Sequence, residues 1–307
     1  MEKVIVVIGP TSVGKTKMGV ALAKKFNGEV ISGDSMQIYK QMDIGTAKVT
    51  EEEKEGIIHH CVDILNPDET YSVHDFQQTV RKKITEITQR GHVPIIVGGT
   101  GLYIKAAVYD YQFDEMENDH HAINEKYKDY TNEQLHDHLK SIDEESAKIL
   151  HFNNRRRVLR AIEIYETTGK RKSEMLEEQE HICLYDAYFV GLTLPRDVLY
   201  ERINKRVDVM MENGLKEEME RLYSQGLTRN HQSMKAIGYK EWFDYYDHQI
   251  DLNDVLELIK KHSRQYAKRQ YTWFKKQFDV HWYDVNLENF EQTIEQVTDD
   301  IEKILKV

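Results

Sequence analysis

Eight residues constrain this chain more than any others. GPTSVGKT, Gly9 to Thr16, fills the pattern G-x-x-x-x-G-K-[ST] in full, after the apolar run of residues 4–8 and before a helical stripe of Met18, Leu22 and Phe26. Strand, loop and helix in that order are the setting in which such a loop holds phosphate. Gly9 and Gly14 let the backbone of Gly9, Pro10, Thr11, Ser12, Val13 and Gly14 curl so that its N–H groups point inward. The helix N-terminus adds the positive end of a dipole. Lys15 supplies a point charge to a bridging or terminal phosphate, and the Thr16 hydroxyl can ligate Mg2+. The loop requires a phosphate-rich ligand. It leaves open which one, and whether a phosphoryl group moves.

The first hundred residues continue the alternation. Residues 29–32 and 93–97 read as buried strands, and 72–90 carries Phe76, Val80, Ile84 and Ile87 at helical spacing with Gly91 as a stop. Residues 100–109 read as a further helix. From about Tyr111 to Tyr185 only polar helical segments are expected. A strand at 187–194 then returns, followed by helices at 196–213, 215–224, 236–246, 252–278 and 288–306, with a short strand at 280–283. This predicts an α/β fold: a P-loop NTPase-like, mostly parallel sheet with helices on both faces, plus a helical insertion domain. The expected boundaries are 1–110 and 186–307 for the discontinuous core and 111–185 for the insertion.

Composition narrows the function. The 307 residues include only 4 Pro and 16 Gly, which excludes low-complexity chains, and 2 Cys, which excludes a disulfide scaffold. No apolar stretch approaches the roughly 18 residues needed to cross a bilayer, and residues 4–8 are too short for a signal-peptide core. A cytoplasmic protein with no membrane partner is expected. The net charge of −11 argues against nonspecific coating of nucleic acid, yet two segments oppose it. Residues 260–276 hold seven Lys or Arg and no acid, with Lys260, Arg264, Lys268, Tyr271 and Lys275 on one helical stripe. Residues 153–172, including Arg156, Arg157 and Arg160, hold seven basic residues against Glu163 and Glu166. Such stripes suit a phosphate backbone. Three functions stay open on these residues: an RNA-modifying enzyme, a small-molecule kinase or NTPase, and a noncatalytic RNA-binding protein. The kinase reading needs a second acidic residue for Mg2+, for which Asp34 and Asp63 are the candidates.

Further blocks make the pattern specific. GDSMQIYKQMDIGTAK (33–48), HHCVDILNPDETYSVHDF (59–76), VGGTGLY (97–103), RRRVLRAIEIYETTGK (155–170), LYERINKRVDVMMENGL (199–215), AIGYKE (236–241) and YAKRQYTWF (266–274) follow the phosphate loop in order. Together they resemble the tRNA dimethylallyltransferases, in the bacterial form without the zinc finger of eukaryotic relatives. Local departures occur at residues 150–154, at Ser12-Val13 and at Gly33.

The resemblance implies that the loop holds the diphosphate of dimethylallyl diphosphate, with Mg2+ on Thr16, and that the acceptor is an adenine of a tRNA anticodon stem-loop. The exocyclic amine would attack the first carbon of the dimethylallyl group and expel diphosphate. An aromatic amine is a poor nucleophile, so a base must take its proton; Asp34 is expected in that role, with an N-cap as the competing one. Lys15 and Thr16 would stabilise the leaving group. Thr100 would touch the diphosphate or the extruded nucleotide, or cap its helix. Ser35, Met36 and Gln37 would meet the base, while Arg202 and Arg206 would clamp the diphosphate opposite the loop. Lys260, Arg264, Lys268, Arg156, Arg157 and Arg160 would hold the tRNA. A monomer is expected.

Overall fold

The computed structural model describes residues 1–113, 120–177 and 181–305. Six parallel strands form one sheet: β1 Lys3–Ile8, β2 Gly28–Ser32, β3 His59–His60, β4 Val93–Val97, β5 Asp186–Thr193 and β6 His281–Asp284. Their order is β3-β2-β4-β1-β5-β6. β1 lies at the centre, with Ile5 level with Ile95 of β4 and Tyr188 of β5.

Fourteen α-helices are described: α1 Lys15–Lys25, α2 Glu51–Lys54, α3 Val73–Gln89, α4 Gly101–Val108, α5 His120–Lys126, α6 Asn132–Ile142, α7 Glu144–Ile149, α8 Arg155–Thr168, α9 Lys172–Glu177, α10 Arg196–Glu212, α11 Leu215–Ser224, α12 Trp242–Tyr246, α13 Leu252–Gln277 and α14 Phe290–Leu305. The helices start where the side chains dictate. Ser72 accepts from Asp75 N–H while the Asp75 carboxylate accepts from Ser72 N–H, a reciprocal cap for α3. Asp251 and Asp254 do the same for α13.

Because Val4 to Ile8 of β1 are fully buried, their alternation splits two cores rather than core from solvent. Val4, Val6 and Ile8 join Phe76, Val80, Ile84 and Ile104 on one face. Ile5 and Val7 join Met18, Leu22, Ile203, Val297 and Ile301 on the other. Each such side chain contributes about 1.5–3 kcal/mol of burial free energy. Helices therefore cover both faces of a parallel sheet, as the β-branched runs require.

The chain divides into two compact units, Met1–Tyr109 with Cys183–Val307, and Asp110–Ile182. The second has its own small core of Ile123, Tyr127, Leu135, Leu139, Val158, Leu159 and Ile162. Asp143 organises it, accepting from the backbone N–H of Ser146 and Ser173 and from the Ser173 hydroxyl. The returning chain already belongs to the first unit at Cys183, which bridges to Tyr109 ahead of β5.

Two expectations change. Strand β3 is additional; it pairs His59 with Val30 and His60 with Ile31. The helix expected over 236–246 is shortened to α12, preceded by a 3-10 turn at Ser233–Lys235, because Gly238 adopts φ 98 and breaks the helical path.

Candidate active site

Three neighbouring strands deliver the site. β1 ends into the phosphate loop, β2 ends two residues before Asp34, and β4 ends into Gly98, Gly99 and Thr100. All three are parallel, so these segments emerge together at the carboxyl end of the sheet, where β1 meets both β4 and β5.

The loop itself is held open by its glycines. Gly9 has φ 146 and Gly14 φ 104; a Cβ at Gly9 would lie 2.6 Å from the Leu192 carbonyl oxygen, and one at Gly14 2.8 Å from the Phe290 ring. Lys15 Nζ donates back to the Pro10 carbonyl at 2.8 Å. Two arginines of α10 reach the same loop from outside: Arg202 Nε donates to the Ser12 carbonyl at 3.0 Å, and an Arg206 Nη to Thr11 Oγ1 at 3.2 Å. Neither arginine pairs with its helix neighbours Glu201 or Asp208 among the described residues; Asp208 instead meets Lys260. Burial, then the nearby Arg206 charge, pulls the Lys15 amine down to about 7, against the upward pull of Asp34. Burial also lowers Arg206. This end of the site is a surplus of positive charge waiting for an anion.

Asp34 serves a turn as well as the cavity. Its Oδ1 accepts from Met36 N–H at 2.8 Å and Gln37 N–H at 3.4 Å. No helix starts there, so the cap is on a turn, and Oδ2 is the oxygen left over. Thr100 makes no side-chain cap to α4. Its hydroxyl instead accepts from Ser35 N–H at 3.1 Å and donates to Ser35 Oγ at 3.3 Å, tying the β4 loop to the Asp34 turn. The Gln37 amide is occupied: Oε1 accepts from Ser32 Oγ at 3.1 Å, while Nε2 donates to the carbonyls of Ala47 at 3.2 Å and Thr46 at 3.4 Å. Asp63, the other acidic candidate, pairs with Lys48 at 2.5 Å and does not line the cavity.

The phosphate loop, the Asp34 turn, α10 and α13 line a cavity of about 260 Å3, with Thr11, Ser12, Asp34 and Arg206 among its polar lining and an apolar wall that includes Ile203, Val207, Met210, Ile237 and Ile259. Tyr266 of α13 also lines it; burial and the Asp34 charge push its hydroxyl up to about 12. It donates to the Gly99 carbonyl at 3.3 Å.

The half-buried Thr16 is the second residue of α1, just past the loop. Among the described residues no three His, Cys, Asp or Glu gather as a metal set. Thr16 offers one hydroxyl beside the loop, the kind of single protein ligand Mg2+ takes when phosphate oxygens and water complete its shell.

Three residues that sequence reasoning missed hold the site together. Gln270 of α13 accepts from Thr11 N–H at 3.0 Å and donates to the Gly99 carbonyl at 2.9 Å, joining two of the three site loops. Buried Glu218 of α11 accepts from the N–H groups of Asp43, Ile44 and Gly45 at 2.8, 2.9 and 3.1 Å and from the Tyr239 hydroxyl at 2.6 Å. A Cβ at Gly45 would strike the Tyr239 ring at 2.6 Å, so the two cavity-lining segments beside it pack backbone to ring. Glu241 accepts from Gly238 N–H at 2.9 Å and meets His262 Nδ1 of α13 at 2.6 Å. The block 33–48 was visible, but nothing local marks remote Glu218 as its anchor, whereas Glu241 lies within AIGYKE itself.

The basic stripe is not uniform. Lys260 pairs with Asp208 at 2.8 Å and Glu257 at 3.3 Å, its side chain only 16% exposed. Arg264 bonds Asn204. Lys268 is exposed, as are Lys261, Arg269, Lys275 and Lys276. In the second unit Arg156 and Arg157 are exposed, and Arg160 pairs with Glu163 at 2.9 Å.

The family model described as IPP transferase matches residues 37–277. The tRNA dimethylallyltransferase of Bacillus cereus (strain AH187) is 54% identical over 287 residues, 92% of this chain and 90% of that protein. The crystal structure of a tRNA delta(2)-isopentenylpyrophosphate transferase from Staphylococcus epidermidis is 47% identical, with a TM-score of 0.74 and 99% of each chain covered. A eukaryotic dimethylallyltransferase acting on tRNA is 32% identical with a TM-score of 0.86, covering 99% of this chain and 79% of that one.

Proposed function

The chain belongs to the IPP transferase family, whose relatives here are tRNA dimethylallyltransferases, and on that premise we propose that it moves a dimethylallyl group from dimethylallyl diphosphate to the exocyclic amine of the adenine 3′-adjacent to the anticodon in tRNA, releasing diphosphate. The observation that carries this reading is the single cavity shared by the phosphate loop, Arg206, Asp34 and an apolar wall. A noncatalytic RNA-binding protein has no use for the loop.

The residues divide the work by chemistry. The loop N–H groups, Lys15, Arg202 and Arg206 bind the diphosphate and stabilise the charge that grows on it as the carbon–oxygen bond breaks. Mg2+ held by Thr16 would add positive charge to the same oxygens. The apolar wall keeps water from the allylic carbon. Asp34 Oδ2 orients the amine and accepts its proton as the nitrogen–carbon bond forms, while Oδ1 keeps the turn fixed. Thr100 holds Ser35 and thereby the turn that carries Asp34. Tyr266 stays neutral and fills the space beside the carboxylate. The adenine must leave its stack to enter, at a cost of a few kcal/mol recovered within the pocket.

No helix among the described residues is long and apolar enough to cross a membrane. A tRNA acceptor supports a cytoplasmic reaction. The test is a two-substrate assay with labelled dimethylallyl diphosphate, unmodified tRNA and, separately, ATP. Label should pass to tRNA only when both substrates are present. ATP turnover without transfer would establish the kinase alternative, and tRNA binding without any turnover the noncatalytic one.

A further inference from the structure

Helix α10 crosses the cavity as a graduated surface. Arg202 and Arg206, one turn apart, bond the phosphate loop at Ser12 and Thr11. The next turn brings Met210, which lines the cavity with Ile203 and Val207 on the same helix face. With Arg206 fixed at the loop, Met210 stands about 6 Å farther along the helix axis. Opposite, Ile237 and Ile259 also line the cavity, and Met210 and Ile237 pack against the core that contains Val207 and Ile259. Polarity therefore falls along α10 from guanidinium to thioether within two turns.

We propose that Met210, backed by Ile237 and Ile259, is the end stop for the hydrocarbon tail of the donor and sets its length at five carbons. The inference rests on the dimethylallyl-transfer reading and adds to it the residue that decides which allylic diphosphates react. The diphosphate is pinned at the loop, so the tail must extend along the wall that excludes water, and Met210 lines that wall one helical turn beyond Arg206. A ten-carbon donor would undergo the same chemistry. Its first carbon would lose the bond to diphosphate oxygen, the electron pair leaving with diphosphate, and gain the bond to the adenine nitrogen, whose proton passes to Asp34. Only the tail differs, and methionine at this position occupies the space the second isoprene unit needs.

The experiment is a single-tube competition between dimethylallyl and geranyl diphosphate on unmodified tRNA, with the adducts weighed by mass spectrometry after nuclease digestion. A ratio read in one tube does not depend on how much enzyme is folded. Rejecting even one extra methylene is worth roughly 10–200-fold, so the unaltered enzyme should favour the five-carbon adduct by about 100-fold or more. Met210→Ala should cut that preference by about tenfold or more, Ile259→Ala should also lower it, and the pair should lower it further. Met210→Phe should raise the KM for dimethylallyl diphosphate. A preference within about threefold of the unaltered enzyme in both alanine variants overturns the end stop. Absence of both adducts with the unaltered enzyme would instead refute dimethylallyl transfer itself.

Discussion

Donor binding should take up a proton. In the free protein, burial and Arg206 hold the Lys15 amine at about 7. A diphosphate placed against the loop supplies the missing counter-charge and restores the amine toward the ordinary lysine value near 10.4. The sign follows from linkage: the bound state holds more protons than the free state between those values, so affinity falls as pH rises through that window. Working from about 7, the free amine is half protonated at pH 7 and about 1% protonated at pH 9. Affinity should therefore drop by about 50-fold between them, about 2.3 kcal/mol. The donor's own ionisation, with a second phosphate step near about 6, is complete before this window and does not mask it. Titration calorimetry of donor onto the free enzyme, repeated in buffers of different ionisation enthalpy, reads both the affinity and the uptake, which should approach one proton at pH 9. Lys15→Arg keeps its charge throughout and should flatten the profile. Arg206→Ala should weaken binding and move the break to higher pH, because it removes the second cause of the depression. A wild-type affinity that is flat from pH 7 to 9, with no proton uptake, would refute the reasoning.

Other outcomes follow from the same geometry. Replacing the exposed Lys261, Lys268 and Lys276 together should weaken tRNA binding and reduce the log–log salt slope by about 0.7–0.9 for each phosphate no longer neutralised. Lys260→Ala should leave that slope nearly unchanged and lower the melting temperature, since its amine is engaged with Asp208 and Glu257. Glu218→Gln sets an amide N–H against a backbone N–H and should cost about 1–3 kcal/mol in denaturant unfolding, with a raised KM for tRNA and an unaltered donor affinity. An equal loss for donor and tRNA would show that Glu218 supports the whole fold rather than the wall it binds.

What the sequence made legible was whatever is written in short range. The phosphate loop needs its glycines and lysine within eight residues, the sheet announces itself through β-branched runs such as 4–8, and Arg202 and Arg206 share a helix face by spacing alone. Strand β3 left no such trace, because two residues cannot show a period. Asp34 was visible as a carboxylate after a strand, but its division of labour between Oδ1 and Oδ2 depends on a turn rather than on the helix start an N-cap would need. The ties that hold the site were illegible for a physical reason. Gln270 meets Thr11 259 residues away, and Glu218 meets Gly45 at a separation of 173. Such pairings are products of packing and have no local signature. The basic stripe shows the converse error: spacing put Lys260 and Lys268 on one face, while Asp208 of α10 neutralises the first and leaves the second exposed.

The central claim is that Asp34 takes the proton of an amine brought beside a diphosphate held at the loop. Its most direct test is the single-turnover transfer rate of Asp34→Asn, measured with saturating dimethylallyl diphosphate and tRNA and accompanied by thermal melts. Asn keeps an oxygen for the Met36 and Gln37 N–H groups, so the turn and the melting temperature should survive. The rate should nevertheless fall by about 100-fold or more, within the range a general base supplies, with both substrate affinities changed far less. Transfer at the wild-type rate by a normally folded Asp34→Asn enzyme would contradict the account and leave Asp34 as a turn cap alone.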